Sequence, residues 1–318
     1  MKRRELLSGA VAVSSVWPVL AAIAVSAAHA QVAGVPVQKP LAGFHNVQVG
    51  NGRTLRYKCA GHGSPTVVIQ QGMGISVETV FSWDEPAGWA AILPRIAAVT
   101  RVCVYDRAGL GLSSKLEAPG TSLDAARDLH DMLGMLRIPP PYVLAGQSLG
   151  GMDALMFAAT FPDTLSGLIL IESSHPRQQE RFAEVLPPRG ANESEVLRGF
   201  RDGPDEPVMG EWFNFPANSK LFEHLPQLGD KPLVVLTRDP GTVTTGGPVP
   251  PEWESVTGPV WQQLQDELAG MSSNTTYVVV EHAGHNIQLD SPDSVVDAIL
   301  GVVKQVRAKP PQRATARR

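Results

Sequence analysis

The sequence is poor in cysteine. Cys59 and Cys103 are its only two, and they form no C-x-x-C pair, which argues against a metal or thiol redox centre. It is also poor in net charge. Lys and Arg number 27 against 31 Asp and Glu, −4 overall, so no basic excess points to nucleic acid. No internal repeat is present, which sets solenoid architectures aside. What remains is an ordinary globular composition, 43% hydrophobic and 18% charged over 318 residues. A chain of roughly 300 residues buries about three quarters of its unfolded surface. It therefore needs neither a metal nor a disulfide scaffold to fold.

The first thirty residues read as an export signal. Lys2, Arg3 and Arg4 form a basic start, an apolar stretch follows from about Gly9 to Ala28, and Ala28 and Ala30 make an A-x-A site before Gln31. The Arg3-Arg4 pair is compatible with twin-arginine export as well as with the general route. An uncleaved membrane anchor is the alternative, and Ser14, Ser15, Pro18 and the A-x-A site argue against it. The expectation is a periplasmic or secreted protein with no stable membrane insertion after cleavage. In such a compartment Cys59 and Cys103 could form one disulfide, or they could be two buried thiols. Residues 31–40 read as a linker, 41–306 as a catalytic domain, and 307–318, a basic stretch interrupted by proline, as a disordered tail.

Within the domain, strand and helix patterns alternate. "TVVIQ" and "RVCVYD" read as strands, "SLDAARDLHDMLGMLRI" as an amphipathic helix, "YVLAG" as a strand, "GMDALMFAATF" as a helix and "LSGLILIE" as a strand. After Glu172 the pattern breaks into proline-rich and aromatic sequence over about 173–230. It resumes with the strand "KPLVVLT", the helix "WQQLQDELAGM", the strand "TTYVVVE" and a closing helix "SPDSVVDAILGVVKQV". This order implies an α/β fold, a mostly parallel sheet of about eight strands flanked by helices. The interrupted stretch, with Phe182, Phe200, Trp212, Phe213, Phe215 and Phe222, suits a lid inserted between strands 6 and 7.

Gly146-Gln147-Ser148-Leu149-Gly150 carries a G-x-S-x-G pattern between a strand and a helix. That is the setting of a nucleophile elbow: a sharp turn exposes the serine hydroxyl, and the helix that follows offers amides to a developing negative charge. Ser148 is the candidate nucleophile and the Leu149 N–H a candidate oxyanion donor. A serine needs a base. His285 lies in a Gly-His loop between the last strand and the last helix and is preferred over His282. A carboxylate must then orient the histidine. Glu172 ends the strand after Ser148, one strand-helix-strand step on, and should stand beside the elbow. Asp239, after the seventh strand, is the alternative.

"QQGMG" after a strand, "YDRAGLGLSS", "GQSLGG" and "EHAGH", in this order, make residues 42–306 similar to the α/β-hydrolase superfamily, in its serine esterase and proline-iminopeptidase-like branch. The resemblance implies Ser148 as nucleophile, His285 as base, and the backbone N–H groups of Leu149 and Met73 as the oxyanion hole. Gln71 stands where the family usually has histidine. Asp106 and Arg107 read as scaffold on a strand-end turn, with substrate binding by Arg107 as the lesser alternative. The expected function is hydrolysis of a small-molecule carboxylic ester through an acyl-enzyme, with no cofactor and no metal. Lactone or N-terminal peptide hydrolysis uses the same parts, and Glu180, Glu184, Glu193 and Glu195 are the residues that could hold a substrate amine. A non-catalytic ligand-binding protein on the same scaffold is the reading of another class.

Overall fold

The computed structural model describes residues 43–81, 87–190, 193–202, 206–207, 210–242 and 251–309. The expected signal (1–30), the linker (31–40) and most of the expected basic tail lie outside them.

Eight strands are present among these residues: β1 (His45–Gln48), β2 (Thr54–Ala60), β3 (Thr66–Gln70), β4 (Val102–Tyr105), β5 (Tyr142–Gln147), β6 (Leu165–Ile171), β7 (Leu233–Arg238) and β8 (Thr275–Val280). They form one sheet in the order β1-β2-β4-β3-β5-β6-β7-β8. β1, β2 and β4 pair antiparallel, and β4 through β8 pair parallel. The expected mostly parallel eight-stranded sheet is borne out. Strands β3, β4, β5 and β7 are buried along their whole length. That is why they read as continuous apolar runs rather than as an alternation.

The helices are α1 (Val77–Phe81), α2 (Trp89–Ala97), α3 (Ser122–Met135), α4 (Leu149–Thr160), α5 (Gln178–Ala183), α6 (Glu195–Asp202), α7 (Phe215–Leu221), α8 (Glu254–Ala269), α9 (Ile287–Asp290) and α10 (Pro292–Ala308). Both sheet faces are covered. Val68, Leu144, Leu168, Leu170 and Val235 pack against α3 and α4. Val67, Ile69, Ala145, Ile171 and Leu236 pack against α2 and α10. The period of two along each strand sends alternate side chains to the two layers. Helix α4 is buried from Leu149 through Ala158, so apart from Asp153 it is apolar all round instead of amphipathic. Helix α3 opens with the Thr121 N–H donating to Asp124 Oδ2 at 2.9 Å, a local satisfaction of an orphan donor.

Three details bear on the site. First, β5 and β6 carry an irregularity at their start: Tyr142 faces Leu165, but Val143 faces Gly167, and the ladder then runs evenly to Gln147 opposite Ile171. Second, Cys59 and Cys103 face each other across β2 and β4 and are joined as a disulfide. This resolves the two possibilities left by the sequence, because only the antiparallel register of β2 on β4 brings the pair together. Third, the chain leaves the sheet after β6 and returns at β7, and residues 172–232 carry α5, α6 and α7. At the C-terminus, α10 runs to Ala308. Arg307 donates to the Ser64 and Val99 carbonyls and Lys309 to Asp230, so these residues are tied to the domain.

Candidate active site

Ser148 joins β5 to α4 with φ 53° and ψ −124°. This is a left-handed conformation that L-residues avoid and that costs roughly 1–3 kcal/mol. The turn closes only because its flanks are small. A Cβ at Gly150 would fall on the Gln70 carbonyl oxygen, and one at Gly146 on the Gly150 carbonyl. The Ser148 carbonyl accepts from the N–H groups of Gly151 and Ser174, both at 2.9 Å, which locks the turn from two sides. Ser148 itself is partly exposed.

Glu172 follows β6 as Ser148 follows β5, and the Gln147–Ile171 register sets the two at one level. Its φ is 44°, so the chain turns sharply there too. The carboxylate is fully buried. Its Oε2 accepts from the Arg238 N–H at 2.9 Å and the Thr237 hydroxyl at 3.2 Å. Its Oε1 lies 3.9 Å from His285 Nδ1 and 3.4 Å from Arg238 Nε.

His285 sits in the loop between β8 and α9 and is buried, 5% exposed. The loop is fixed by the Gly284 N–H donating to Asp290 at 2.8 Å and by Gln147 Nε2 donating to the His285 carbonyl at 3.2 Å. The second bond ties the histidine loop to the residue before Ser148. The Trp261 ring stands edge-on to the imidazole, centroids 6.2 Å apart. His282, in contrast, is exposed.

Asp239 does something else. Its Oδ1 accepts from the Gly241 N–H at 2.9 Å and its Oδ2 from the His282 N–H at 3.1 Å. These backbone bonds hold its carboxyl below the ordinary carboxylate range. Both oxygens are occupied by the loop, so the structure brings Glu172, not Asp239, to His285.

The loop Gln71–Gly74 lies across from the elbow. A Cβ at Gly72 would be 3.5 Å from Ser148 Cβ, which places this backbone beside the serine. The N–H groups of Met73 and Leu149 donate to no protein group among the described residues. Leu149 opens α4, where the first amides have no partner within the helix. One of these amides directly follows Ser148 and the other belongs to the loop beside it. Met73, Leu149 and Met152 pack with Phe213, Phe215 and Phe222. Phe182 and Phe200 instead join Trp261 in a separate cluster. The aromatics Phe213, Phe215 and Phe222 thus pack with Met73 and Leu149, whereas Phe182 and Phe200 pack against α8.

The turn after β4 has a structural role, as its scaffold reading expects. Asp106 and Arg107 each brace a neighbouring segment. Asp106 Oδ1 accepts from the Val77 N–H at 2.6 Å, at the start of α1; burial pushes its carboxyl up to about 6, against the pull of that bond. Arg107 is buried and pairs with Glu211 (Nε to Oε1 2.6 Å) and Asp153 (3.3 Å). Burial opposes its charge, but the two carboxylates outweigh it and hold the guanidinium above its ordinary value. Glu211 carries no signal in the sequence. It lies 104 residues from Arg107 in a stretch with no periodic pattern, and nothing local marks it. A cavity of about 480 Å³ is lined by Arg107, Asp153, Glu211 and Phe213, but by neither Ser148 nor His285. No group of three or more potential ligands that could hold a metal occurs among the described residues.

With this geometry in hand, the chain can be set beside known proteins. A family model for the alpha/beta hydrolase fold matches residues 65–248. The chain belongs to the α/β-hydrolase family. It is 24% identical over 242 residues to the uncharacterized protein YqjL of Bacillus subtilis, covering 76% of this chain and 85% of that one. Among solved structures it is similar to a thermophilic esterase from Thermogutta terrifontis, with TM-score 0.53, 20% identity and coverage of 83% and 99%. It is also similar to the enol-lactonase from Burkholderia xenovorans LB400, with TM-score 0.53, 18% identity and coverage of 82% and 100%. At these identities the structural likeness speaks for the fold.

Proposed function

We propose that this α/β-hydrolase is an exported serine hydrolase that cleaves small-molecule carboxylic esters through an acyl-enzyme. The observation that carries the proposal is Ser148, held in a strained turn with one unpaired backbone amide directly after it and another in the loop beside it, and with the buried Glu172–His285 pair tied to the same turn. His285 accepts the Ser148 proton as Oγ attacks the ester carbonyl. The Met73 and Leu149 N–H groups stabilise the oxyanion, an electrostatic contribution that is often the largest single one. Glu172 stabilises the imidazolium. Collapse of the tetrahedral species expels the alkoxide, which takes the proton from His285. The same histidine then deprotonates water, which attacks the acyl-enzyme and releases the acid. Residues 172–232, whose Phe213, Phe215 and Phe222 pack over the oxyanion residues, act as the lid.

The likeness to an esterase and an enol-lactonase keeps lactones within the same chemistry. The iminopeptidase-like alternative is less well supported. Glu180 pairs with Arg177, Glu184 with Arg181, and Glu193 with Arg201. Three of the four acids that could hold a substrate amine are already engaged by neighbouring arginines. The basic, apolar N-terminus with its A-x-A site supports export, and the Cys59–Cys103 disulfide suits an oxidising compartment. Among the described residues no helix is long and apolar enough to cross a membrane.

The test is a series of p-nitrophenyl esters of increasing acyl length, run beside lactones and amino-acid arylamides. Fluorophosphonate labelling of the wild type and of Ser148→Ala accompanies it. Ester turnover and labelling that both vanish in Ser148→Ala are expected. Activity confined to arylamides would sink the esterase reading, and a folded wild type that takes no label would favour a binding protein.

A further inference from the structure

The backbone of the loop Gln71–Gly74 is held by two side chains from outside it. Arg107 Nη1 donates to the Gln71 carbonyl at 2.6 Å and Nη2 to the Gly72 carbonyl at 3.0 Å. Glu211 Oε2 accepts from the Gly74 N–H at 2.9 Å and from Arg107 Nη2 at 3.1 Å. Three backbone polar groups of a four-residue loop are thus fixed by one buried ion pair. In a trans peptide the C=O and the next N–H point to opposite sides. Pinning the Gly72 carbonyl onto Arg107 therefore turns the Met73 N–H away from Arg107. A Cβ built on Gly72 would meet Gln147 Oε1 at 2.4 Å and Ser148 Cβ at 3.5 Å, so the freed amide belongs to a peptide beside the elbow.

Glu211 comes from the segment between β6 and β7, and that arm is clamped to the turn after β4. Gly120 N donates to the Trp212 carbonyl and Asn214 N to the Gly120 carbonyl, both at 2.9 Å. Gly109 and Gly210 approach so closely that a Cβ on either would lie 2.8 or 2.7 Å from the other's carbonyl oxygen. A buried ion pair is a poor source of net stability, because desolvation offsets most of its attraction. It does fix direction: a guanidinium presents its donors in a rigid planar fork.

We infer that Arg107 and Glu211 are positioning residues that set the direction of the Met73 N–H, so that the covering segment builds part of the oxyanion hole. The inference rests on the acyl-transfer reading given above. Its consequence is that the 210–214 arm governs kcat and not only which substrates enter.

The test uses Glu211→Gln and Glu211→Asp in the full-length protein, with active sites counted by fluorophosphonate titration. Losing one oxyanion donor costs about 10²–10³ in kcat, and misdirecting one should cost less. For Glu211→Gln the expected result is a fall of about tenfold or more in kcat per active serine, with KM within about threefold of wild type. The inhibition constant of an alkylboronic acid, which forms a tetrahedral adduct on the serine, should rise in step with the loss of kcat. Glu211→Asp, which keeps the charge, should recover part of both, and it carries the test if the glutamine variant fails to fold. Wild-type kcat and boronate affinity in variants that only melt earlier would reduce the pair to a structural role. A rise in KM alone would make Glu211 a substrate contact and overturn the inference equally. A wild type that takes no label would instead defeat the serine-hydrolase reading itself.

Discussion

Glu172 Oε1 and His285 Nδ1 stand 3.9 Å apart, and neither of these two buried atoms makes a hydrogen bond among the described residues. The gap is longer than a hydrogen bond. Catalytic hydrogen bonds commonly tighten only in the complex. The other oxygen of Glu172 is anchored on β7, so its carboxylate is aimed rather than free.

The first prediction concerns this pair. Glu172→Gln should lower kcat by about 10⁴, the scale for a lost triad acid, with KM little changed. Asp239→Asn should stay within about tenfold of wild type, because Asp239 serves only its own loop. Steady-state kinetics on the best ester decides the matter. The reverse ranking would transfer the role to Asp239.

The elbow and a neighbouring helix give a paired stability prediction. Gly150→Ala drives a methyl group into the Gln70 and Gln71 carbonyls, and backbone cannot step aside as a side chain would. A loss of about 1–3 kcal/mol or more is expected, the range for overpacking. At Gly134, inside α3, an added methyl group would meet nothing within 4 Å. Gly134→Ala should therefore gain up to about 1 kcal/mol from helix propensity. Urea unfolding of both variants measures the contrast, and equal effects would contradict it.

Acid should unfold the protein partly through His175. The imidazole is 1% exposed. Burial, with Arg177 and Arg181 nearby, pushes it down to about 3. Between that value and about 6.5 the unfolded chain binds a proton that the folded chain refuses, so stability falls as pH drops through this window and is fully present above it. Asp106 and Asp153 act in the opposite sense. Burial raises both to about 6, so their contribution is lost as pH rises from about 4 to about 6. His175→Asn should flatten the acid-side decline. Urea midpoints at pH 4, 5.5 and 7 check this, and an unchanged slope would rule it out.

Ser148, His285 and Glu172 were legible because each sits at a strand end, and in a parallel sheet strand ends share one edge. Counting one strand onward from Ser148 was enough to reach Glu172. The sheet itself was legible for the same reason: fully buried strands leave unbroken apolar runs such as "TVVIQ". The brace was not legible. Reading Arg107 beside Asp106 respects sequence proximity, but the two side chains diverge, one to Gln71 and Gly72, the other to Val77. Glu211 reaches Arg107 through tertiary packing of a segment without periodicity. The Cys59–Cys103 bond was hidden by topology, since their pairing depends on β2 lying antiparallel on β4.

The irregularity at the start of β5 and β6 carries a last consequence. Leu165 and Gly167 face consecutive residues of β5, and Ser166 is the residue passed over. Five residues later, at about 3.3 Å each, lie Ser148 and Glu172. Because Ser166 is the residue passed over, its deletion would leave Gly167–Ile171 paired with β5 as they are. Deleting one residue between Gly167 and Ile171, where the ladder runs evenly, would instead draw Glu172 back by one position and out of level with Ser148. The length of the chain from Gly167 to Glu172 is therefore as strict a requirement as the identity of the residue at its end.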